Sequence, residues 1–381
     1  MENDRYSHIK KRKCKLDGKK VISMNGKIIT CHYAYNYGAV LQSYALCSYL
    51  NNHGLDTQVI NYRPWYYKGS TSKTNKFRLL VRHIVRIPDN IKSEKVFMKF
   101  LKDYVPLTKE FKTYEDLEKS SLSADYFVAG SDQIWNLNLP NGKDGAFYFD
   151  FVKKGKKISY AASLGMDELN EEQRQYLLQR ISNFDDIALR ENTAKKLLDS
   201  NRNISVVMDP VYLLGKEDWK KLEQKPKKFP TEKYILVFAF NRQKEIFDFG
   251  KKLAKKYGYK VISVNTFWED IFNGMDHYYW NCSPNEFLYL LSHAECIVTN
   301  SFHGLSFSII YNKPVILFQK NDKGNSRMLD LVNRLKANKV IDKRWKSDIK
   351  IPKINYEIIN NAVEIERKKS EEYLRDCLSL E

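Results

Sequence analysis

From Lys27 onward, short runs of β-branched and other apolar residues alternate with stretches whose apolar positions recur at helical spacing. In the first half the strand candidates are 27–32, 57–61, 125–129, 156–162, 185–189 and 204–208, with helices such as 39–53 between them. This alternation predicts right-handed βαβ units and a parallel sheet covered on both faces. Residues 215–231 break the pattern: they are charged, contain Pro226 and Pro230 and hold few large apolar residues, which reads as a linker. The same grammar then restarts, with strands expected at 234–240, 260–264, 294–298 and 314–318 and helices near 243–257, 284–292 and 302–311. A charged helical tail over 357–379 is expected to pack back across the first half. The fold class is therefore α/β, with two Rossmann-like domains whose parallel sheets face a central cleft. The expected divisions are a basic arm at 1–26, a first domain at 27–214, a linker at 215–231, a second domain at 232–345 and a C-terminal helical segment at 346–381.

Charge and composition narrow the picture. The 381 residues carry 64 Lys and Arg against 46 Asp and Glu, a net charge of +18 that attracts nucleic acid, anionic membrane or phosphorylated substrates. No zinc-finger spacing, RNP-like aromatic sequence or helix-turn-helix signature accompanies that charge, so no nucleic acid is expected as a partner. Within 76–86, Arg78, Arg82 and Arg86 recur at intervals of four, as in a basic helix able to lie on anionic lipid; a partly buried surface helix is the competing reading. No apolar run is long enough to span a bilayer and no secretory signal opens the chain, so a cytoplasmic protein, working at the inner face of the membrane, is expected. The six cysteines lie far apart without a CxxC pair and read as buried thiols. Neither GxxxxGK[ST], GxGxxG nor HExxH occurs, and no metal site is expected.

In an open parallel sheet, ligands bind beyond the carboxyl ends of the strands. The residues found there are Asn36, Tyr37 and Gly38 after the first strand, Ser131, Asp132 and Gln133 after the third, Ser163 after the fourth and Arg190 at the end of the fifth. In the second half they are Arg242, then Asn300, Ser301, Phe302, His303 and Gly304, with Arg327 a short loop after the last strand. Ser301 is suited to cap a helix starting near Phe302, leaving N–H groups that favour an anion, and Gly304 would let a ligand come close to the backbone. A capped helix whose histidine bonds the core explains the same residues without a ligand. Asp132 could orient or deprotonate a hydroxyl, against the commoner fate of a turn aspartate bonding local N–H groups. Arg190 could hold a carboxylate or phosphate bidentately, or simply pair with Glu191 or Asp186.

Taken together, NYGAVLQSYAL (36–46), DYFVAGSDQIWN (125–136), KISYAASLG (157–165), IALREN (187–192), VMDPVYLL (207–214) and CIVTNSFHGLSFSIIYNKPVILF (296–318) resemble the polysaccharide pyruvyl transferase family. The resemblance implies a GT-B-like fold and transfer of the carbon skeleton of phosphoenolpyruvate onto two sugar hydroxyls, forming a pyruvate ketal in a bacterial surface polysaccharide or its lipid-linked precursor. It implies no cofactor beyond phosphoenolpyruvate as donor substrate. On that basis His303 is the general-acid candidate and Asp132 the base or orienter for the acceptor hydroxyl. Arg190, Asn300, Ser301 and Gly304 are donor contacts, and Asn36, Tyr37, Gly38, Gln42, Ser131, Gln133, Asn136 and Ser163 are acceptor contacts. Many members read Arg-Leu-His where this chain reads Ser301-Phe302-His303, so Arg327 or Arg242 is expected to supply the missing charge. The alternative is a nucleotide-sugar glycosyltransferase on the same architecture, with Glu269 and Asp270 as ribose contacts.

Overall fold

A computed structural model describes residues 24–68, 87–199, 201–240, 243–319, 325–340 and 349–380. The basic arm up to residue 23, the basic segment 76–86 and Arg242 lie outside these.

Two parallel sheets organise the chain. The first holds β1 (Asn25–Ile29), β2 (Asp56–Tyr62), β3 (Leu107–Phe111), β4 (Tyr126–Ala129), β5 (Lys156–Ala162), β6 (Asp186–Leu189) and β7 (Ile204–Val206) in the order β3-β2-β1-β4-β5-β6-β7. The second holds β8 (Tyr234–Phe238), β9 (Lys260–Asn265), β10 (His277–Trp280), β11 (Cys296–Thr299) and β12 (Val315–Leu317) in the order β10-β9-β8-β11-β12. Central strands such as β4 and β11 are buried along their whole length, which is why they read as continuous apolar runs. The edge strands β3 and β10 are half exposed and polar or aromatic, and no apolar run announces them. Each sheet reverses its strand order once, between β1 and β4 and between β8 and β11, and a ligand crevice is expected beyond the carboxyl ends at such points.

The helices that matter for the site are α1 (Tyr37–Asn52), α2 (Ile87–Tyr104), α3 (Pro284–Ser292), α4 (Phe302–Ile310), α5 (Ser326–Arg334) and α6 (Tyr356–Leu378). Helix α1 is apolar on nearly every face because it is wedged between the two halves. Its Tyr37 stacks on Phe287 of α3 with ring centroids 4.3 Å apart, and the Tyr37 hydroxyl donates to the carbonyl of Cys282 at 3.0 Å. At the start of α2, Asp89 accepts from Trp280 Nε1 at 2.7 Å and from the Trp268 N–H at 2.9 Å, tying the first half to the rim of the second sheet.

Helix α6 begins against the second half, where the Tyr356 hydroxyl donates to the Lys313 carbonyl, and then runs onto the first. There Ser370 Oγ accepts from the Met208 N–H at 2.8 Å, Tyr373 donates to the Ser159 carbonyl at 2.8 Å, and Lys156 Nζ donates to the Cys377 carbonyl at 2.8 Å. Residues 215–231 are less free than a linker. Trp219 is fully buried, donates to the Val211 carbonyl at 3.0 Å and sits edge-on to Phe307 of α4. Five cysteines (Cys31, Cys47, Cys282, Cys296 and Cys377) are buried, and among the described residues none forms a disulfide. Among the described residues no helix is long and apolar enough to cross a membrane.

Candidate functional site

Chemistry gathers where the carboxyl ends of the two sheets meet. His303 lies in the first turn of α4, whose N-cap Ser301 accepts from the Gly304 N–H at 3.2 Å. The Leu305 N–H is taken by the Ser301 carbonyl, so among the described residues it is the N–H groups of Phe302 and His303 that stay without a partner. The expected role of Gly304 changes. A Cβ there would stand 2.5 Å from Thr299 Oγ1 and 3.0 Å from Phe238 Cδ1, so the glycine lets α4 sit on β8 and β11 and does not face a ligand.

The imidazole of His303, 7% exposed, leaves the second half and meets the first. Its Nε2 stands 3.5 Å from Asp209 Oδ2, an ion-pair distance too long for a strong hydrogen bond. Asp209 follows β7 and is fixed on all sides. Its Oδ2 accepts from Arg190 Nη1 at 2.9 Å and Ser131 Oγ at 3.0 Å, and its Oδ1 accepts from the Val211 N–H at 3.1 Å. Burial alone would raise its carboxyl, yet His303 and then Arg190 hold it well below the usual carboxylate range. Sequence reasoning missed Asp209. Its one signal was an Asp-Pro step after a strand, which also marks any turn.

Arg190 closes β6 and is 3% exposed. Burial would lower its guanidinium, but Asp209, Glu191 and Asp132 together raise it. Its Nη1 is committed to Asp209, and its Nε lies 3.8 Å from Glu191 Oε2; Nε and Nη2 are buried without a hydrogen-bond partner. Arg327, in the first turn of α5, is 8% exposed, with a buried Nε that has no partner. Burial and then the nearby charge of Arg190 lower it, while Glu191, Asp132 and Asp167 act the other way. Arg334, at the far end of α5, anchors this helix: it donates to the carbonyl of Arg190 at 3.0 Å and to Glu366 of α6 at 2.8 Å. Two guanidinium groups and an imidazole thus converge from both halves, among three carboxylates. The cluster offers directed N–H groups more than net positive charge.

The remaining expected contacts fall into three groups. Asp132 takes a left-handed backbone (φ 77) and its Oδ1 accepts from the adjacent Gln133 N–H at 2.9 Å, the local turn bond weighed above, while its charge acts on both arginines. Ser131 is spent on Asp209, and Ser163 donates to Glu191 Oε1 at 2.8 Å, so both brace the cluster from behind. The others are structural as placed. Tyr37 is packed between the halves, Asn36 caps α1 by accepting from the Gly38 N–H at 2.9 Å, and Gln42 is fully buried and donates to Thr30 Oγ1 at 2.8 Å. Gln133 and Asn136 bond each other at 2.8 Å, and Asn300 holds the backbone of Phe240 through 2.7 and 3.0 Å bonds. Gly38 lies directly against the His303 ring. Two surface clefts of about 400 and 440 Å³ lie elsewhere, one along α2 beside Arg63 and Lys95 and one beside Lys220 and His293. Among the described residues no group of His, Cys, Asp and Glu is arranged to hold a metal.

The family model for polysaccharide pyruvyl transferases matches residues 36–319, well over half of the chain and all of the strand ends just described. The chain belongs to the polysaccharide pyruvyl transferase family. No curated protein matches it at a significant level. Among solved structures it is similar to the UDP-GlcNAc 2-epimerase of Methanocaldococcus jannaschii, at 14% identity over 92% of this chain and 99% of that one, with a TM-score of 0.50. The UDP-N-acetylglucosamine 2-epimerase of Rickettsia bellii is 12% identical over 94% of this chain and 96% of its own, with a TM-score of 0.49. At such identities the likeness concerns architecture alone. This pyruvyl transferase family member has the GT-B arrangement of two Rossmann-like halves.

Proposed function

We propose that this family member transfers the carbon skeleton of phosphoenolpyruvate to two hydroxyls of a sugar, forming a pyruvate ketal on a surface polysaccharide or its lipid-linked precursor. The observation that carries the reading is that Arg190 and Arg327, from opposite halves, keep buried guanidinium nitrogens without partners in the cluster that also holds His303. A small donor with a carboxylate and a phosphate would use such N–H groups together with those of Phe302 and His303. Arg327 supports the expectation that another arginine replaces the one absent at Ser301.

In the reaction His303 delivers a proton to the methylene carbon, which becomes a methyl group, and the cationic carbon beside it is attacked by the first sugar hydroxyl. The second hydroxyl then displaces phosphate by attack at the same carbon, the C–O bond to phosphate breaking as the second ketal bond forms. Of the two hydroxyl protons released, one replaces the proton given by His303 and the other leaves with phosphate. Asp132 orients the acceptor hydroxyl.

Purified full-length protein is incubated with a lipid-linked oligosaccharide and either phosphoenolpyruvate or a nucleotide sugar. Acceptor-dependent phosphate release supports the proposal, with a loss of at least roughly 100-fold in the His303→Ala variant. Release of nucleotide, with none of phosphate, would assign the chain to glycosyl transfer instead.

A further inference from the structure

The His303 imidazole belongs to the second half of the chain, but the first half shapes the space around it. An ideal Cβ built on Gly38 would stand 1.9 Å from Nδ1 and 2.3 Å from Cγ of His303, so any side chain at position 38 would occupy the place of the ring. Gly38 sits in the first turn of α1 and is not among the glycines with a left-handed backbone. Its own conformation therefore does not call for glycine; the ring of His303 does. On the other side Asp209 Oδ2 faces Nε2 at 3.5 Å and cannot swing away, because Arg190, Ser131 and the Val211 N–H hold both of its oxygens.

We infer that Gly38 and Asp209 form a socket in the first half that receives His303 from the second, so that the imidazole reaches its working position only when the two halves are closed. Both are positioning residues. Gly38 leaves the room, and Asp209, itself held by Arg190 and Ser131, orients the ring. The charged groups around the ring are Asp209 and, behind it, Arg190, with Glu191, Asp132 and Arg327 surrounding that guanidinium. The inference rests on the reading of His303 as the proton donor, but the socket can be judged without turnover.

The test is NMR at one fixed pH of the protein carrying histidine labelled with 13C at Cε1, the His303 signal being assigned by its loss in His303→Gln. In Asp209→Asn that signal is expected to shift and its nuclear Overhauser contact with the Gly38 α protons to weaken, and Asp209→Glu to restore both in part. Gly38→Ala leaves the carboxylate in place and suits a helix better than glycine, so it should fold normally and still move the His303 signal by displacing the ring. Turnover with phosphoenolpyruvate should lose at least about tenfold in kcat in both Asp209→Asn and Gly38→Ala, with a smaller change in KM. A His303 signal unmoved in Gly38→Ala and in whichever Asp209 variants fold overturns the socket, as does a loss of kcat that only follows a lowered Tm. Absence of turnover in the unaltered protein would count against the phosphoenolpyruvate reading alone, because the His303 signal still decides the socket.

Discussion

Arg327 is a buried cation in the first turn of a helix, without an ion-pair partner among the described residues, and both circumstances are unfavourable to the folded chain. A residue kept against stability is one whose use lies elsewhere, and on the proposed function that use is contact with the donor. Arg327→Met should therefore leave Tm unchanged or raise it, while weakening donor binding at least about tenfold, or ~1.4 kcal/mol. A thermal scan beside a binding titration checks both signs, and a variant that loses stability without losing affinity would make Arg327 a structural residue.

His32 makes a separate residue-scale case. It is fully buried between the Thr30 carbonyl at 3.2 Å and Asn61 Oδ1 at 3.3 Å, and desolvation lowers its titration below the ordinary value. The folded chain thus binds that proton less readily than the unfolded one. The stability it contributes is fully present above pH ~6.5 and drains as pH falls toward its lowered folded value. Urea unfolding at pH 8, 6.5 and 5.5 should show this fall, and His32→Gln should flatten part of it.

Among the elements, α4 shows how a strand and a helix are matched. Thr299 Oγ1 is fixed by its bond to the Phe238 carbonyl at 2.6 Å, directly under Gly304. Gly304→Ala would gain about 1 kcal/mol of helix propensity but would press a methyl group against a hydroxyl that cannot move, at a cost of roughly 1–3 kcal/mol. A net loss of stability, seen as a lower denaturation midpoint, is the expected outcome.

The same segment shows what could be read from the sequence alone. The buried runs of β1, β4, β8 and β11 and the Ser301 cap were legible because burial on both faces and a helix start each leave a local signature. The strands β3 and β10 were not, since an edge strand needs no apolar run. Tyr37, which follows a strand end, and Gln42, named on the family resemblance, were expected as ligand contacts, yet packing of α1 between the halves buries them. Asp209 gains its meaning from residues 19, 78 and 94 positions away, Arg190, Ser131 and His303, which no local pattern connects.

At the scale of the molecule, the central fact is that neither half holds the site alone. His303 and Arg327 come from one half, Arg190, Asp209 and Gly38 from the other, and none of the first four is more than 8% exposed. On the proposed function, donor and acceptor would enter while the halves are apart, and closure would assemble the acid and exclude water. The C-terminal helix α6, bonded to both halves, and Arg334, which links α5 to the Arg190 carbonyl, are the connections across which that movement must take place.

The most direct test of the pyruvyl-transfer account follows the donor carbon itself. Full-length protein is given phosphoenolpyruvate labelled with 13C at carbon 2 and a lipid-linked oligosaccharide, and the acceptor is recovered for NMR. The account expects the label in the sugar as a quaternary ketal carbon bearing a methyl group and two bonds to sugar oxygens. An acceptor that carries no label, while a nucleotide sugar modifies it under the same conditions, would contradict the account.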